Sequence, residues 1–295
     1  MVEATKEFIE EKPSLIWSIF LVGGANLMIL SALFVPTIYF WHVLGAIGLL
    51  NLLLVVLVFV GLKRHQKLKD KDLSATTFSR KMFNIISGLI FASFILIFSP
   101  FLVLFILLGV DFAFGFHEII YVVFKSKTYY TNAFIALGRQ SAPFKPYLAS
   151  IMALLGFTIV LGFQTLLFNF NAVNFLPLKY EFVCVIVYVA IILIWGIGDT
   201  AAYFAGTHYG RHKLPYNRGK SWEGFFANMT VGIVIGLIFF SPVVFPFMNT
   251  FWWIFLSLIG GITCAFSESI NLHLDDNFVT VTITGIIIGS LMVIA

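Results

Sequence analysis

Nine apolar runs fill this chain almost end to end, and that pattern sets its class before any single residue is weighed. Each is about 17–25 residues long, the length a helix needs to cross the hydrocarbon of a bilayer. They fall near 14–35, 37–62, 82–99, 101–123, 147–168, 181–206, 224–245, 249–267 and 280–295. Inside lipid, every backbone amide must be paired within its own segment or in a closed barrel. The runs lack the two-residue alternation of barrel strands, so helices are expected. At 295 residues, 60% hydrophobic and 11% charged, the chain holds more apolar surface than a soluble domain could bury. The expected fold is all-α: a polytopic transmembrane bundle of about nine spans. Pro36 and Pro100 separate neighbouring spans with almost no loop, so tight helical hairpins are expected there. The segment before the first run is acidic (Glu3, Glu7, Glu10, Glu11) and has no clear small-residue cleavage site, so it does not read as a removable signal.

Charge sets the orientation. With nine spans, the N-terminal segment and the segments 63–81, 124–146 and 207–223 share one side and carry seventeen of the eighteen Lys and Arg. Only Lys179 falls on the other side. The positive-inside rule makes the rich side cytoplasmic, with the N-terminus inside and the C-terminus outside. The same rule accounts for the net charge of +4 without a nucleic-acid partner, and none is expected. Cys184 and Cys264 lie in apolar runs with no C-x-x-C, so neither a disulfide framework nor a zinc site is expected.

Two polar islands interrupt the second half of the chain. In Gly196–Gly224 an apolar run ends at Asp199 and passes into a basic loop carrying Arg211, Lys213, Arg218 and Lys220, with Gly206, Gly210 and Gly219 among them. A carboxylate at the end of a span is costly and tends to be functional, although it can simply mark the interface. Four cations with glycines can wrap a polyphosphate, because glycine lets backbone amides approach and arginine binds bidentately. The same charges could serve only as membrane anchors. Lys220 and Ser221 precede a helix expected near Glu223, and a helix N-terminus attracts anions. Gly196-Ile-Gly198-Asp-Thr-Ala201 mimics a dinucleotide fingerprint but follows a membrane-length run, not a strand. Gly219-Lys220-Ser221 mimics the end of a P-loop, but Leu214 stands where that motif needs glycine.

The second island, Glu268–Thr280, is acidic. If the eighth span continues beyond the interface, positions 268, 272 and 275 share a face. Glu268, Asp275, Asp276 and Asn277 are hard oxygen donors suited to Mg²⁺, although they could equally form a polar turn. Five of the fourteen acids, Asp199, Glu223, Glu268, Asp275 and Asp276, sit in the two islands, which favours a metal site. His208, His212 and His273 lie there too, without a zinc-type pattern, and His208 and His212 are read as glycine-rich-loop residues, not ligands. Asp111, His117 and Glu118 form a third polar group. It is read as structural, pairing internally or with Arg139, with a lipid-pocket role as the other option.

GDTAAYFAGTHYGRHKLPYNRGKSWEG resembles a core shared by phosphatidate cytidylyltransferases and the CTP-dependent lipid kinases. The kinases include dolichol kinase, phytol kinase and the CTP-type diacylglycerol kinase. The second island is similar to the kinases' E-x-x-P-x-x-x-D-D-N-x-T-V-P, and the cytidylyltransferase signature is absent. Arg80-Lys81-Met-Phe-Asn84-Ile-Ile-Ser-Gly88 is similar to the kinases' R-K-x-x-H-x-x-x-G. Asn84 stands for the usual His, Asn271 for a common Pro, and Val279 takes the Thr position, with Thr280 one place late. The resemblance covers residues 80–295, so 1–79 reads as a two-span extension with a basic loop and 80–295 as the kinase-like domain.

The resemblance implies phosphoryl transfer from CTP to the hydroxyl of a polyprenol- or phytol-type membrane alcohol, with Mg²⁺. It implies Asp199, Asp276 and Lys220 as catalytic residues. Arg211, Lys213, Asn217, Arg218, Lys220, Ser221 and Glu223 would bind nucleotide, and Asp199, Glu268, Asp275 and Asp276 would bind the metal. Asp199 is also the alternative candidate for a base near the lipid hydroxyl. Trp222 anchors the loop at the interface or stacks on the base. The other readings are a phosphatidate cytidylyltransferase, a diacylglycerol kinase and a transporter; a homodimer stays open.

Overall fold

The computed structural model describes residues 14–35, 38–68, 74–128, 130–131, 148–172, 180–272 and 274–295. Among them are nine α-helices: α1 Leu15–Leu30, α2 Phe40–Leu68, α3 Ser74–Ile97, α4 Pro100–Val123, α5 Leu148–Ala172, α6 Tyr180–His208, α7 Trp222–Phe239, α8 Thr250–Ser269 and α9 Asp276–Met292. Each expected apolar run has its helix. Helices α1, α4, α5, α6, α7 and α8 are long and apolar enough to cross a membrane. Shorter apolar helical stretches lie at 40–56, 88–97 and Asp276–Met292. The chain is a polytopic helical membrane protein.

The helices begin where the local chemistry allows it. Ser14, Asn249 and Asp275 accept backbone N–H groups of Trp17, Trp252 and Asn277, at 3.4, 2.9 and 2.9 Å. Such caps satisfy donors that have no partner inside the first turn. Pro100 stands at the first position of α4, where its missing N–H costs nothing, and Ser99 Oγ accepts from Leu102 N at 3.4 Å. Pro36, the N-terminal acids, Arg139, Lys145, Lys179, His273 and the side chains of Arg80, Lys81 and Asn84 lie outside the described residues.

The chain divides into two compact units, residues 1–80 with 105–151 and residues 81–104 with 152–295. In the first, α1 packs on α4, with Gly109 so close that an added Cβ would lie 2.9 Å from Ala25 O. Asn26 and Asn51 pair α1 with α2 through an amide hydrogen bond at 3.3 Å. Lys127, counted as a surface cation from the sequence, is buried, and its carbonyl accepts from Ser14 N at 2.7 Å. Asp111, His117 and Glu118 lie on α4, where buried His117 has Nδ1 3.1 Å from Ala113 O.

In the second unit α6 packs most extensively on α7, α7 on α8 and α8 on α9. The α7–α8 seam is built on Gly232 and Gly261: a Cβ on Gly232 would sit 2.7 Å from the Gly261 Cα. Backbones approach that closely only where side chains are absent. Helix α5 closes on α6 through Tyr188, whose hydroxyl donates to Phe157 O at 3.3 Å, and on α9 through Gln164, whose Nε2 donates to Gly285 O at 3.5 Å.

One expectation fails. Helix α8 does not run on past the interface; it stops at Ser269, and Ile270 is extended. Positions 268, 272 and 275 therefore do not share a helix face. The Ser269 carbonyl accepts the Asn217 amide at 2.9 Å, and Asp275 caps a new helix.

Candidate functional site

The basic loop between α6 and α7 is a small hairpin. Lys213 and Ser221 form an antiparallel bridge. Leu214 N donates to Lys220 O at 3.0 Å and Trp222 N to His212 O at 2.9 Å. Leu214 is fully buried, so the hairpin is pinned by one apolar side chain at its centre. Its base is held by Glu223, which accepts from Arg211 N at 3.2 Å and His212 N at 3.1 Å and lies 2.8 Å from His212 Nδ1. Its tip is held by α8: Tyr216 Oη lies 3.0 Å from Ser269 Oγ, and Asn217 donates to Ser269 O. Asn217 Oδ1 also accepts from Gly219 N at 3.1 Å, and buried Ser221 caps α7 by accepting from Gly224 N at 3.3 Å.

Lys220 is thereby aimed at the second island. Its Nζ lies 3.2 Å from Glu268 Oε1 and 3.4 Å from Asp276 Oδ2, and it also donates to the Glu268 carbonyl. The other oxygen of Glu268, Oε2, accepts from the Asn228 amide on α7. Burial pulls the Lys220 pKa down, but the carboxylates of Glu268 and Asp276, with Asp199 adding to them, outweigh it and hold the ammonium above its ordinary value. Asp199 is buried in the second half of α6, and its charge acts on Lys220.

The structure thus brings Asp199, Lys220, Glu268 and Asp276 into one electrostatic cluster. Arg211, Lys213 and Arg218 stay exposed on the hairpin. Asn217, Ser221 and Glu223 each have a structural bond that shapes the loop. Asp275 spends one carboxylate oxygen on the α9 cap. His208 is the last residue of α6 and not a loop residue, with Nδ1 3.0 Å from Phe204 O. Trp222 stacks on Phe226 with ring centroids 5.7 Å apart. Sequence reasoning missed Asn228, Tyr216 and Ser269; a lone buried amide in an apolar span was the only signal for the first.

Among the described residues no three His, Cys, Asp or Glu side chains form a ready metal cage. The donors present nevertheless fit magnesium. That ion keeps several waters and takes one or two carboxylates plus substrate phosphates. Glu268 and Asp276, both beside Lys220 Nζ, would supply those carboxylates.

Two curated proteins are similar to part of the chain. "Probable phytol kinase 3, chloroplastic" of Glycine max is 40% identical over 101 residues, 32% of this chain and 31% of that protein. "Probable phytol kinase 2, chloroplastic" of Oryza sativa subsp. japonica is 38% identical over 111 residues, 35% of this chain and 36% of that protein. Over that third, the chain is similar to these two proteins. The match spans about a third of the length of these curated relatives. No family model and no solved structure matches the chain. The likeness to these phytol kinases agrees with the resemblance read from the two islands.

Proposed function

We propose that this chain is an integral-membrane lipid kinase that moves the γ-phosphate of CTP to the hydroxyl of a polyprenol- or phytol-type alcohol, at the cytoplasmic face. The observation that carries the reading is the ammonium of Lys220 between the carboxylates of Glu268 and Asp276. Phosphoryl transfer asks mainly for in-line positioning and neutralised phosphate charge. A basic hairpin fastened to an acid pair offers both kinds of group within one site. The likeness to two phytol kinases supports the kinase class.

In this reading Lys220 binds the triphosphate, with Arg211, Lys213 and Arg218 on the exposed side of the hairpin. Glu268 and Asp276 would hold magnesium, with Asp199 and Asp275 as further carboxylates. Bound there, the ion would neutralise charge on the phosphates. Asp199, the most buried of the four, is the alternative candidate to take the proton of the lipid hydroxyl. The apolar helices bring the alcohol to that depth.

The test offers γ-labelled CTP, ATP and GTP to the purified protein with phytol, geranylgeraniol, dolichol and diacylglycerol in parallel. Labelled lipid monophosphate and CDP from CTP with an isoprenoid alcohol is the expected result. Pyrophosphate release with a cytidyl lipid would make it a cytidylyltransferase instead. Absence of transfer from every donor would remove the kinase reading.

A further inference from the structure

Asn228 lies wholly buried in α7, in a run that is otherwise apolar or small around it. Burying an amide in such a place is costly unless its hydrogen bonds are made. Its nitrogen donates to Glu268 Oε2 on α8. Its oxygen faces α6: a Cβ added to Gly198 would collide with Asn228 Oδ1 and lie 3.2 Å from Cγ. Gly198 is the residue before Asp199. One side chain is therefore wedged between the α6 backbone beside one acid and the carboxylate of another. With Oε2 taken by Asn228, Glu268 presents Oε1 to Lys220 at 3.2 Å.

We infer that Asn228 is a positioning residue for the phosphate-transfer site, fixing the Glu268 carboxylate, and that Gly198 is required because only glycine leaves the Asn228 amide its place. Gly198 and Asn228 then act as one unit. A methyl group at 198 pushes the amide off Glu268 and should have the same effect as removing the amide. This deepens the kinase reading and rests on it for the activity measurement only.

The experiment uses the full chain in detergent, with Asn228→Ala, Gly198→Ala and the double variant. Two quantities are read: the half-saturating Mg²⁺ in the transfer assay, and Mn²⁺ affinity by electron paramagnetic resonance with a non-hydrolysable CTP analogue present. Loss of a residue that orients a metal carboxylate typically weakens metal binding by about 10–100-fold. Each single variant should fall in that range with KM for the alcohol unchanged, and the double variant should be no worse than Asn228→Ala. Losses that multiply in the double variant, or wild-type Mn²⁺ affinity in Asn228→Ala, overturn the inference. A fold defect would raise the alcohol KM and lower thermal stability as well, which separates packing from positioning. If Gly198→Ala fails to accumulate, Asn228→Ser, with a shorter polar side chain, carries the test by Mn²⁺ affinity. If no nucleotide supports transfer, the kinase reading falls, while a Mn²⁺ loss in Asn228→Ala still upholds the positioning role.

Discussion

Lys220 and Asp276 are 56 positions apart in the chain, and their charged atoms stand 3.4 Å apart. The contact joins the hairpin before α7 to the first turn of α9. With Glu268 at 3.2 Å, it makes Lys220 the junction of both polar islands.

Replacing Lys220 by Ala should therefore weaken nucleotide binding more than lipid binding. Hydrogen bonds to charged groups contribute about 1.5–3 kcal/mol, so a loss of roughly 10–100-fold in CTP affinity is expected. Calorimetric titration with a non-hydrolysable analogue measures it. Unchanged affinity would show that the ammonium serves only to neutralise Glu268 and Asp276.

The two adjacent acids should separate by substitution. Asp275→Asn keeps a good helix cap, whereas Asp275→Ala should cost about 1 kcal/mol of stability. Asp276→Asn removes the charge facing Lys220 and should abolish turnover while expression stays intact. If Asp275 holds metal as well, Asp275→Asn should also lose turnover without losing stability. Near-normal turnover in both Asn variants would remove the metal-site proposal.

The apolar architecture was legible because lipid allows so few solutions: run length alone gave each of the nine described helices. The meeting of the islands was legible from charge, since acids and bases are scarce in this chain and cluster in two places. The geometry that joins them was not. Tyr216 and Asn217 reach Ser269 across more than fifty residues, and no periodicity marks such a pair. The end of α8 was misjudged for the same reason, because the carbonyl of its last residue is bonded by Asn217 of the hairpin. Asn228 reads as a minor interruption of a span until Glu268 is seen beside it.

The pH response follows from the raised pKa of Lys220. A lysine held above its ordinary value adds stability that is fully present below that value, near 10.5, and is lost as pH rises through the higher folded value. Between pH 7 and 9 the ammonium stays protonated, so thermal stability should not fall through this group. A loss of stability in that window that vanishes in Lys220→Met would contradict the assignment. The measurement is a melting curve in detergent at each pH.

Glu223 gathers two backbone amides and the His212 ring at the base of the hairpin. Glu223→Ala should free that base without disturbing the helices. Faster limited proteolysis between residues 211 and 220 is expected, together with weaker CTP binding and an unchanged helical circular dichroism signal. Wild-type cleavage rates would mean that Leu214 and the tip contacts hold the loop unaided.

The α7–α8 seam sets the spacing of the site. Asn228 and Glu268 sit on these two helices, and Gly232 and Gly261 let them touch one and two turns deeper in the bundle. A Cβ on Gly261 would lie 2.5 Å from Met229 O, and one on Gly232 would lie 2.7 Å from the Gly261 Cα. Both neighbours are backbone atoms, which cannot rotate away. Overpacking of this kind costs about 1–3 kcal/mol, and relief requires the helices to separate. Gly232→Ala should thus lower the melting temperature and also draw Asn228 away from Glu268. Metal affinity should fall alongside stability, unlike in Asn228→Ala, where it should fall with little change in melting. A Gly232→Ala protein that melts early but keeps wild-type Mn²⁺ affinity would show that the site tolerates movement of the seam.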